Sequence, residues 1–187
     1  MLAAVLTMVA AAACGDGTGP EGFVVTGRIE NNTLAPIPVN TRLLAVWGVS
    51  SGTPDYGYVF GEGTINRLAG TFRIRFDQPP PDDALNMGEL GVAFLIATTD
   101  QSLTQGRLPS GPIGYAGLTA RYAVIFLKSE NASQFRSWAT LFDIGYSVGV
   151  GVEALPGETF DTFRPDSPSS PVLIIDVPAN IDIVNWT

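Results

Sequence analysis

Histidine is absent from this 187-residue chain, and cysteine occurs once, as Cys14. Histidine is the residue that most often serves as general base, metal ligand or pH switch. Its absence therefore reduces the number of catalytic and metal-binding sites that the chain could form. A serine–histidine–aspartate triad is excluded, and a single cysteine cannot form an intramolecular disulfide. Charged residues make up only 15% of the chain and leave a formal net charge of −8. Because phosphate binding needs clustered cations, this balance argues against a nucleic-acid partner.

Glycine and proline are numerous, with 21 and 14 copies, and hydrophobic residues make up 45% of the chain. Disordered chains are instead rich in charge and poor in aromatic and β-branched residues, so this composition predicts a folded protein. The many turn-forming residues favour short strands joined by turns. A chain of this length can bury enough apolar surface for one core without disulfides.

The N-terminal segment is an uncharged apolar run over residues 2–13. It has the length of the hydrophobic region of a signal peptide and is shorter than the roughly 20 residues that span a membrane. Three alanines, Ala11 to Ala13, then precede Cys14, and the glycine-rich residues 15–20 follow it. A buried free cysteine after an ordinary helix is the alternative interpretation. The glycine-rich stretch offers little for packing and favours a flexible tether.

This stretch resembles the lipobox of bacterial lipoproteins, in which a small residue precedes an obligatory cysteine. The resemblance implies that residues 1–13 are a signal peptide and that Cys14 becomes the lipidated first residue of the mature chain. Residues 14–22 would then be a tether and residues 23–187 a single domain. Gly15 stands where aspartate would favour inner-membrane retention, so the resemblance implies the outer membrane, with the domain facing the periplasm or the cell exterior.

The body of the chain shows the period-2 alternation of half-buried strands, most clearly over residues 23–30 and 71–77. Segments that are apolar on both faces predict central strands at residues 43–49, 92–97 and 123–127. Further strands are expected near residues 58–61, 142–152, 159–163, 172–177 and 181–186. One short helix is predicted over residues 131–141, with Ser129 or Asn131 as its N-cap. We therefore predict an all-β fold, an antiparallel sandwich of about eight to ten strands.

The run from Gly27 to Trp47, followed by a Gly-x-Phe strand at Gly70 and Phe72, is similar to carboxypeptidase-regulatory or transthyretin-like sandwich domains. Pro36 and Pro38 match the proline-bearing turn of that family, and the resemblance covers residues 23–99. It implies an immunoglobulin-like or transthyretin-like sandwich. The body is also similar to uncharacterised bacterial lipoproteins, which again implies a location in the cell envelope.

The densest acidic loop carries the four carboxylates Asp77, Asp82, Asp83 and Glu89. Hard oxygen ligands on a loop can hold Ca²⁺, which takes six to eight of them, so these residues are candidate metal ligands. The alternative is an extended, proline-rich connection with an aspartate capping a brief helical turn. No cofactor is expected otherwise.

Three aromatic residues, Trp47, Tyr56 and Tyr58, lie on or beside a glycine-rich hairpin. Exposed aromatic rings can stack on sugar faces, so these residues are candidate ligands for a polysaccharide; packing in the core is the alternative. Pairs among the eighteen acidic residues could also serve a hydrolase, but the sequence selects none of them. The prediction is thus a non-enzymatic, lipid-anchored envelope module with a structural or protein-binding role. A carbohydrate-binding module is the second hypothesis and a carboxylate-based hydrolase is the third.

Overall fold

The structure is a computed structural model that describes residues 22–48, 57–102, 112–116, 122–151 and 162–176. Within these ranges the chain forms ten strands and three short 3-10 helices. In chain order they are β1 (Phe23–Asn31), β2 (Arg42–Gly48), β3 (Tyr58–Asn66), β4 (Thr71–Phe76), η1 (Asp82–Ala84), β5 (Leu90–Thr98), β6 (Pro112–Ala116), β7 (Tyr122–Leu127), η2 (Glu130–Gln134), η3 (Ser137–Leu141), β8 (Gly145–Gly151), β9 (Phe163–Asp166) and β10 (Val172–Ile175). None of the helices in these ranges has the length and apolar character needed to cross a membrane.

The all-β prediction is confirmed, and the predicted alternation appears most clearly in β4. Phe72, Ile74 and Phe76 are buried. The residues that alternate with them, Thr71, Arg73 and Arg75, are exposed. The strands predicted to be central, β2, β5 and β7, are buried along most of their length. The alternating pattern therefore predicted the two faces of β4 correctly, and the segments that are apolar on both faces correctly marked the buried strands.

The ten strands form one sheet that closes on itself. Seven strands follow one another around a ring in the order β2-β3-β4-β1-β10-β6-β5. The ring closes because β2 pairs along its whole length with residues 92–98 of β5. The far edge of β5 is divided, because residues 96–98 pair with β6 whereas residues 90–93 pair with β7. Strands β7, β8 and β9 continue from that branch as a three-stranded wing.

The number of strands in the ring dictates one feature of its topology. Neighbours in a ring of seven strands cannot all be antiparallel, because strand direction must alternate and an odd ring leaves one pair with the same direction. That pair is β1 and β10, the first and last described strands, with Arg28 opposite Val172 and Asn31 opposite Ile175. The other pairings around the ring are antiparallel. The two ends of the described chain thus close the barrel against each other.

The closed ring differs from the two-layered sandwich that the sequence predicted. The count of ten strands agrees with the prediction. In a sandwich, however, each sheet has free edges, whereas here β2 and β5 pair with each other and close the sheet into a ring. The main core lies inside the ring. It is formed by alternate residues along each strand, whose side chains point inward. Its largest fully buried members include Trp47, Leu43, Ile74, Leu95 and Leu173.

The helix predicted over residues 131–141 is instead two 3-10 turns, η2 and η3, separated by Phe135 and Arg136. Arg136 has extended dihedral angles (φ −144°, ψ 119°) and interrupts the turn. Ser129 does cap the first turn as predicted, because its side-chain oxygen accepts from the Asn131 amide. The two turns pack on the outer face of the wing and bury Trp138 there against Phe163.

Strand β6 was not predicted, because its first residue, Pro112, was interpreted as part of a turn. Strand β9 begins at Phe163, where the predicted strand over residues 159–163 ends. The predicted strand over residues 181–186 lies outside the described residues.

Candidate functional site

The described structure begins at Gly22, so Cys14 and the predicted signal peptide lie outside it. Phe23, the first residue of β1, follows the cysteine by nine positions. Tyr56 also lies outside the described residues. The structure therefore places two of the three aromatic candidates and all four candidates of the acidic loop.

Trp47 is a core residue and not part of an exposed aromatic surface. Its side chain is fully buried, and its ring packs edge-on against Phe76 with centroids 6.1 Å apart. Its indole Nε1 donates a hydrogen bond of 2.8 Å to the carbonyl oxygen of Phe60. In this position the ring cannot stack on a sugar, and of the two interpretations of Trp47 the structure supports core packing.

A β-bulge explains why the Phe60 carbonyl is free to accept that bond. The β2–β3 register moves from Leu44 opposite Glu62 to Val46 opposite Val59, which leaves Phe60 and Gly61 opposite a single residue. A bulge interrupts the ladder, so a carbonyl there needs another donor. Gly61 has φ +112°, and a Cβ on it would lie 2.6 Å from the Phe76 ring. The bulge therefore requires glycine and is completed by the tryptophan.

Tyr58 lies at the start of β3, directly opposite Trp47, and is half-buried. It packs against the main core as a partly buried residue. The hairpin thus brings Tyr58 and Trp47 together, but as neighbours in the core and not as a stacking platform.

Three of the four carboxylates of the acidic loop have separate partners, and the fourth, Asp83, is exposed in η1. Asp77 pairs with Arg75, the neighbouring arginine of β4. Asp82 accepts a 2.8 Å hydrogen bond from Lys128 Nζ, and Glu89 accepts a 2.7 Å bond from the Ser129 hydroxyl. The hydrogen bond that Lys128 donates to the Asp82 carboxylate raises the pKa of Lys128. Across the described part of the chain, no three acidic or cysteine side chains are grouped so that they could hold a metal ion.

Tyr146 is a partly buried titratable group at the end of the barrel where β1 begins. Its ring stacks on Phe76 with centroids 4.9 Å apart and on Phe23 at 5.5 Å. Its hydroxyl donates a 2.7 Å hydrogen bond to the Gln78 carbonyl. Burial raises the pKa of this hydroxyl well above its ordinary value, so it remains a neutral donor at physiological pH.

A polar groove lies on the outer face of the barrel, across β3, β4 and β1. Its volume is about 460 Å³. The strand registers align its side chains in two rows, with one residue from each strand in each row. The rows are Thr64–Arg73–Thr26 and Asn66–Thr71–Arg28. Ser169, from the turn before β10, lines the same groove, and the turn is held to β1 by the 2.9 Å bond from Thr26 N to the Pro168 carbonyl.

The groove carries one arginine that pairs with no acidic side chain among the described residues. Arg28 pairs with Glu30 at 2.8 Å, and Arg75, one row further along β4, pairs with Asp77. Arg73 makes no ion pair with any described residue, although its position is the centre of a row. The sequence marked the polar face of β4, but the hydroxyls that flank Arg73 come from two other strands, Thr64 from the preceding strand β3 and Thr26 from the distant strand β1. Their alignment depends on registers that no local pattern encodes.

No protein-family model, curated protein or solved structure was found to match this chain.

Proposed function

We propose that this protein is a bacterial envelope lipoprotein, anchored through a lipid on Cys14, whose barrel is a non-enzymatic binding module. The observation that carries the anchor is the order of segments in the sequence. An apolar run, three alanines, the cysteine and a glycine-rich stretch precede the barrel directly. Each buried methylene of an acyl chain contributes about 0.8 kcal/mol, so several chains hold a protein firmly.

The spacing between the cysteine and β1 supports this arrangement. Phe23 lies nine positions after Cys14, and a fully extended chain of that length spans roughly 30 Å at most. Such a tether would let the barrel stand clear of lipid headgroups. We place the protein at the outer membrane, facing the periplasm or the cell exterior, because Gly15 follows the cysteine.

The polar groove favours the second of the three functional hypotheses, the binding of an envelope polysaccharide. Hydroxyl and amide side chains in two registered rows can hydrogen-bond to the hydroxyls of a sugar. This assignment moves the candidate surface from Trp47 and Tyr58 to the outer face of β3, β4 and β1. It needs no aromatic platform.

Metabolic labelling with radioactive palmitate tests the anchor. The wild-type chain should incorporate label and partition into the detergent phase of a Triton X-114 extract, whereas Cys14→Ala should do neither. Ser51→Ala is the control, because it changes another small polar residue and leaves the N-terminal segment intact. Equal incorporation of palmitate into wild type and Cys14→Ala would refute the anchor.

A further inference from the structure

We propose that the groove on β3, β4 and β1 binds an acidic polysaccharide, with Arg73 holding a carboxylate of the sugar chain. The inference deepens the proposed binding function and rests on it, but it does not depend on the lipid anchor. Arg73 is central because it lies in register between Thr64 and Thr26, on neighbouring strands to either side.

Charge supports an anionic ligand. The chain has eighteen acidic and ten basic residues, so most cations have an acid available as partner. Arg28, Arg42 and Arg75 each pair with a carboxylate. Arg73 has no such partner among the described residues. Arg67, Arg136 and Arg164 also lack a carboxylate partner there, but they lie outside the groove, and Arg28, the other arginine of the groove, is paired with Glu30. The guanidinium of Arg73 carries five N–H donors. A carboxylate is the ligand that guanidinium geometry fits in two parallel hydrogen bonds.

The dimensions of the two rows suit a sugar unit. Neighbouring strands lie about 4.8 Å apart, and successive outward residues of one strand are separated by about 6.6 Å. The six side chains therefore cover an area of roughly 10 by 7 Å, comparable with one or two pyranose rings. The threonine hydroxyls beside Arg73 can donate to or accept from the ring hydroxyls that flank a carboxylate.

The same face disfavours an acidic peptide as the ligand. An extended peptide binds a sheet by adding to a free edge, but β1, β3 and β4 are each paired on both sides within the ring. Peptide and protein interfaces are also anchored by aromatic or apolar side chains in pockets. The apolar side chain among the groove residues, Phe72, is 3% exposed and belongs to the core.

Affinity electrophoresis of the full chain in a non-ionic detergent tests the proposal. The native gels contain polygalacturonate, neutral dextran, dextran sulfate or poly-L-glutamate. We expect the strongest retardation in polygalacturonate, and we expect Arg73→Gln to weaken this binding about tenfold, because a charge-assisted hydrogen-bonded contact is lost. A net charge of −8 repels polyanions in general, so retardation reports a local site.

Arg164→Gln is the matched control, because Arg164 is also exposed on a strand but lies on β9, outside the groove. It removes the same charge and should leave retardation unchanged. Thr64→Val should weaken binding without changing net charge, which separates the groove from a general charge effect. Arg73 and Thr64 are exposed, so neither substitution should alter the far-ultraviolet circular dichroism spectrum.

Four results would overturn the proposal. Equal effects of Arg73→Gln and Arg164→Gln would remove the groove from the binding site. Retardation in dextran equal to that in polygalacturonate would remove the carboxylate, and stronger retardation in dextran sulfate would make the anion a sulfate. Retardation by poly-L-glutamate as strong as by polygalacturonate would indicate an acidic peptide. None of these results bears on palmitate labelling, so the anchor and the groove fail separately.

Discussion

At the scale of single residues, the most informative side chain is Trp47, because one ring fills the core and satisfies a bulge. Its position on an apolar strand was compatible with either a sugar-stacking or a packing role, and the sequence offered no way to choose. Burial favours the packing role, because the side chain is fully buried and its Nε1 donates a hydrogen bond to the Phe60 carbonyl. A tryptophan next to a glycine-rich hairpin is therefore not by itself evidence of a ligand site.

Trp47→Phe should lower the free energy of unfolding by about 2–3 kcal/mol, because it removes the indole hydrogen bond, leaves the Phe60 carbonyl unsatisfied and opens a small cavity. Trp138→Phe is a matched control. Trp138 is 6% exposed, and its Nε1 has no hydrogen-bond partner in the described structure. It should cost about 1 kcal/mol less than Trp47→Phe in urea unfolding followed by circular dichroism. Equal losses would mean that the hydrogen bond to Phe60 contributes nothing.

Glu62 carries a pH dependence that can be measured. Arg42 on β2 donates two hydrogen bonds to it, of 2.9 and 2.8 Å, and these lower the pKa of Glu62 below its ordinary value of 4.5. A lowered folded pKa means that the stabilisation is complete above pH 4.5 and is lost as the pH falls through the folded value.

Glu62→Gln should therefore lower the free energy of unfolding at pH 7 by about 0.5–1 kcal/mol, a modest amount because half of the side chain is exposed. The difference from wild type should shrink as the pH is lowered below 4.5 in a series of urea titrations. Glu30→Gln, which breaks a more exposed pair with Arg28, should change stability less. A difference that stays constant down to the acid limit would contradict the role of this ion pair.

At the scale of elements, sequence patterns predicted strands better than turns and helices. The alternation in β4 gave its buried and exposed faces correctly, because each side chain's environment follows from position along one strand. Four apolar residues, Phe135, Trp138, Ala139 and Phe142, have the spacing of one helix face. Trp138, Ala139 and Phe142 do pack in the cluster on the wing, whereas Phe135 is not a member of that cluster. This spacing did not yield a continuous helix, since the segment contains Asn131, Ser133 and Ser137, and such side chains favour local turns over helix interiors.

The bulge in β3 makes a prediction about glycine. Gly61→Ala should destabilise the protein by about 3 kcal/mol or more, because it combines a positive φ with a Cβ 2.6 Å from the Phe76 ring. Gly88→Ala separates these two causes. Gly88 has φ +72° but no atom within 4 Å of a Cβ, so that variant should lose only about 1 kcal/mol. Thermal unfolding measures both variants, and similar losses would show that backbone strain alone limits Gly61.

At the scale of the whole molecule, ring closure and the groove are the features that local patterns could not supply. Closure depends on β2 pairing with β5 and on β1 pairing with β10, contacts that join distant parts of the chain. The groove depends on two other registers, β1–β4 and β3–β4, which bring Thr26 and Thr64 beside Arg73. The candidate surface chosen from sequence, the aromatic hairpin, was local in the chain. The groove, in contrast, combines β1 with β3 and β4, which lie further along the chain.

Closure also predicts how the molecule opens. Strands β1 and β10 pair on both sides within the ring, whereas β9 is the last strand of the wing and pairs with β8 in the described sheet. Opening a ring strand breaks two ladders and exposes the main core, so it should require nearly the free energy of global unfolding. Separating β9 breaks one short ladder and should cost much less.

Native-state hydrogen exchange, read by mass spectrometry, tests this order. Amides of β1, β10 and β4 should exchange together at a rate set by global unfolding. Amides of β9 should exchange at a rate about tenfold higher or more. Leu173→Ala, which opens a cavity at a fully buried position of β10, should raise the exchange of β1 and β4 as well as β10. If Leu173→Ala accelerated exchange in β10 alone, the first and last strands would open independently. The parallel β1–β10 pair would then not be what holds the ring closed.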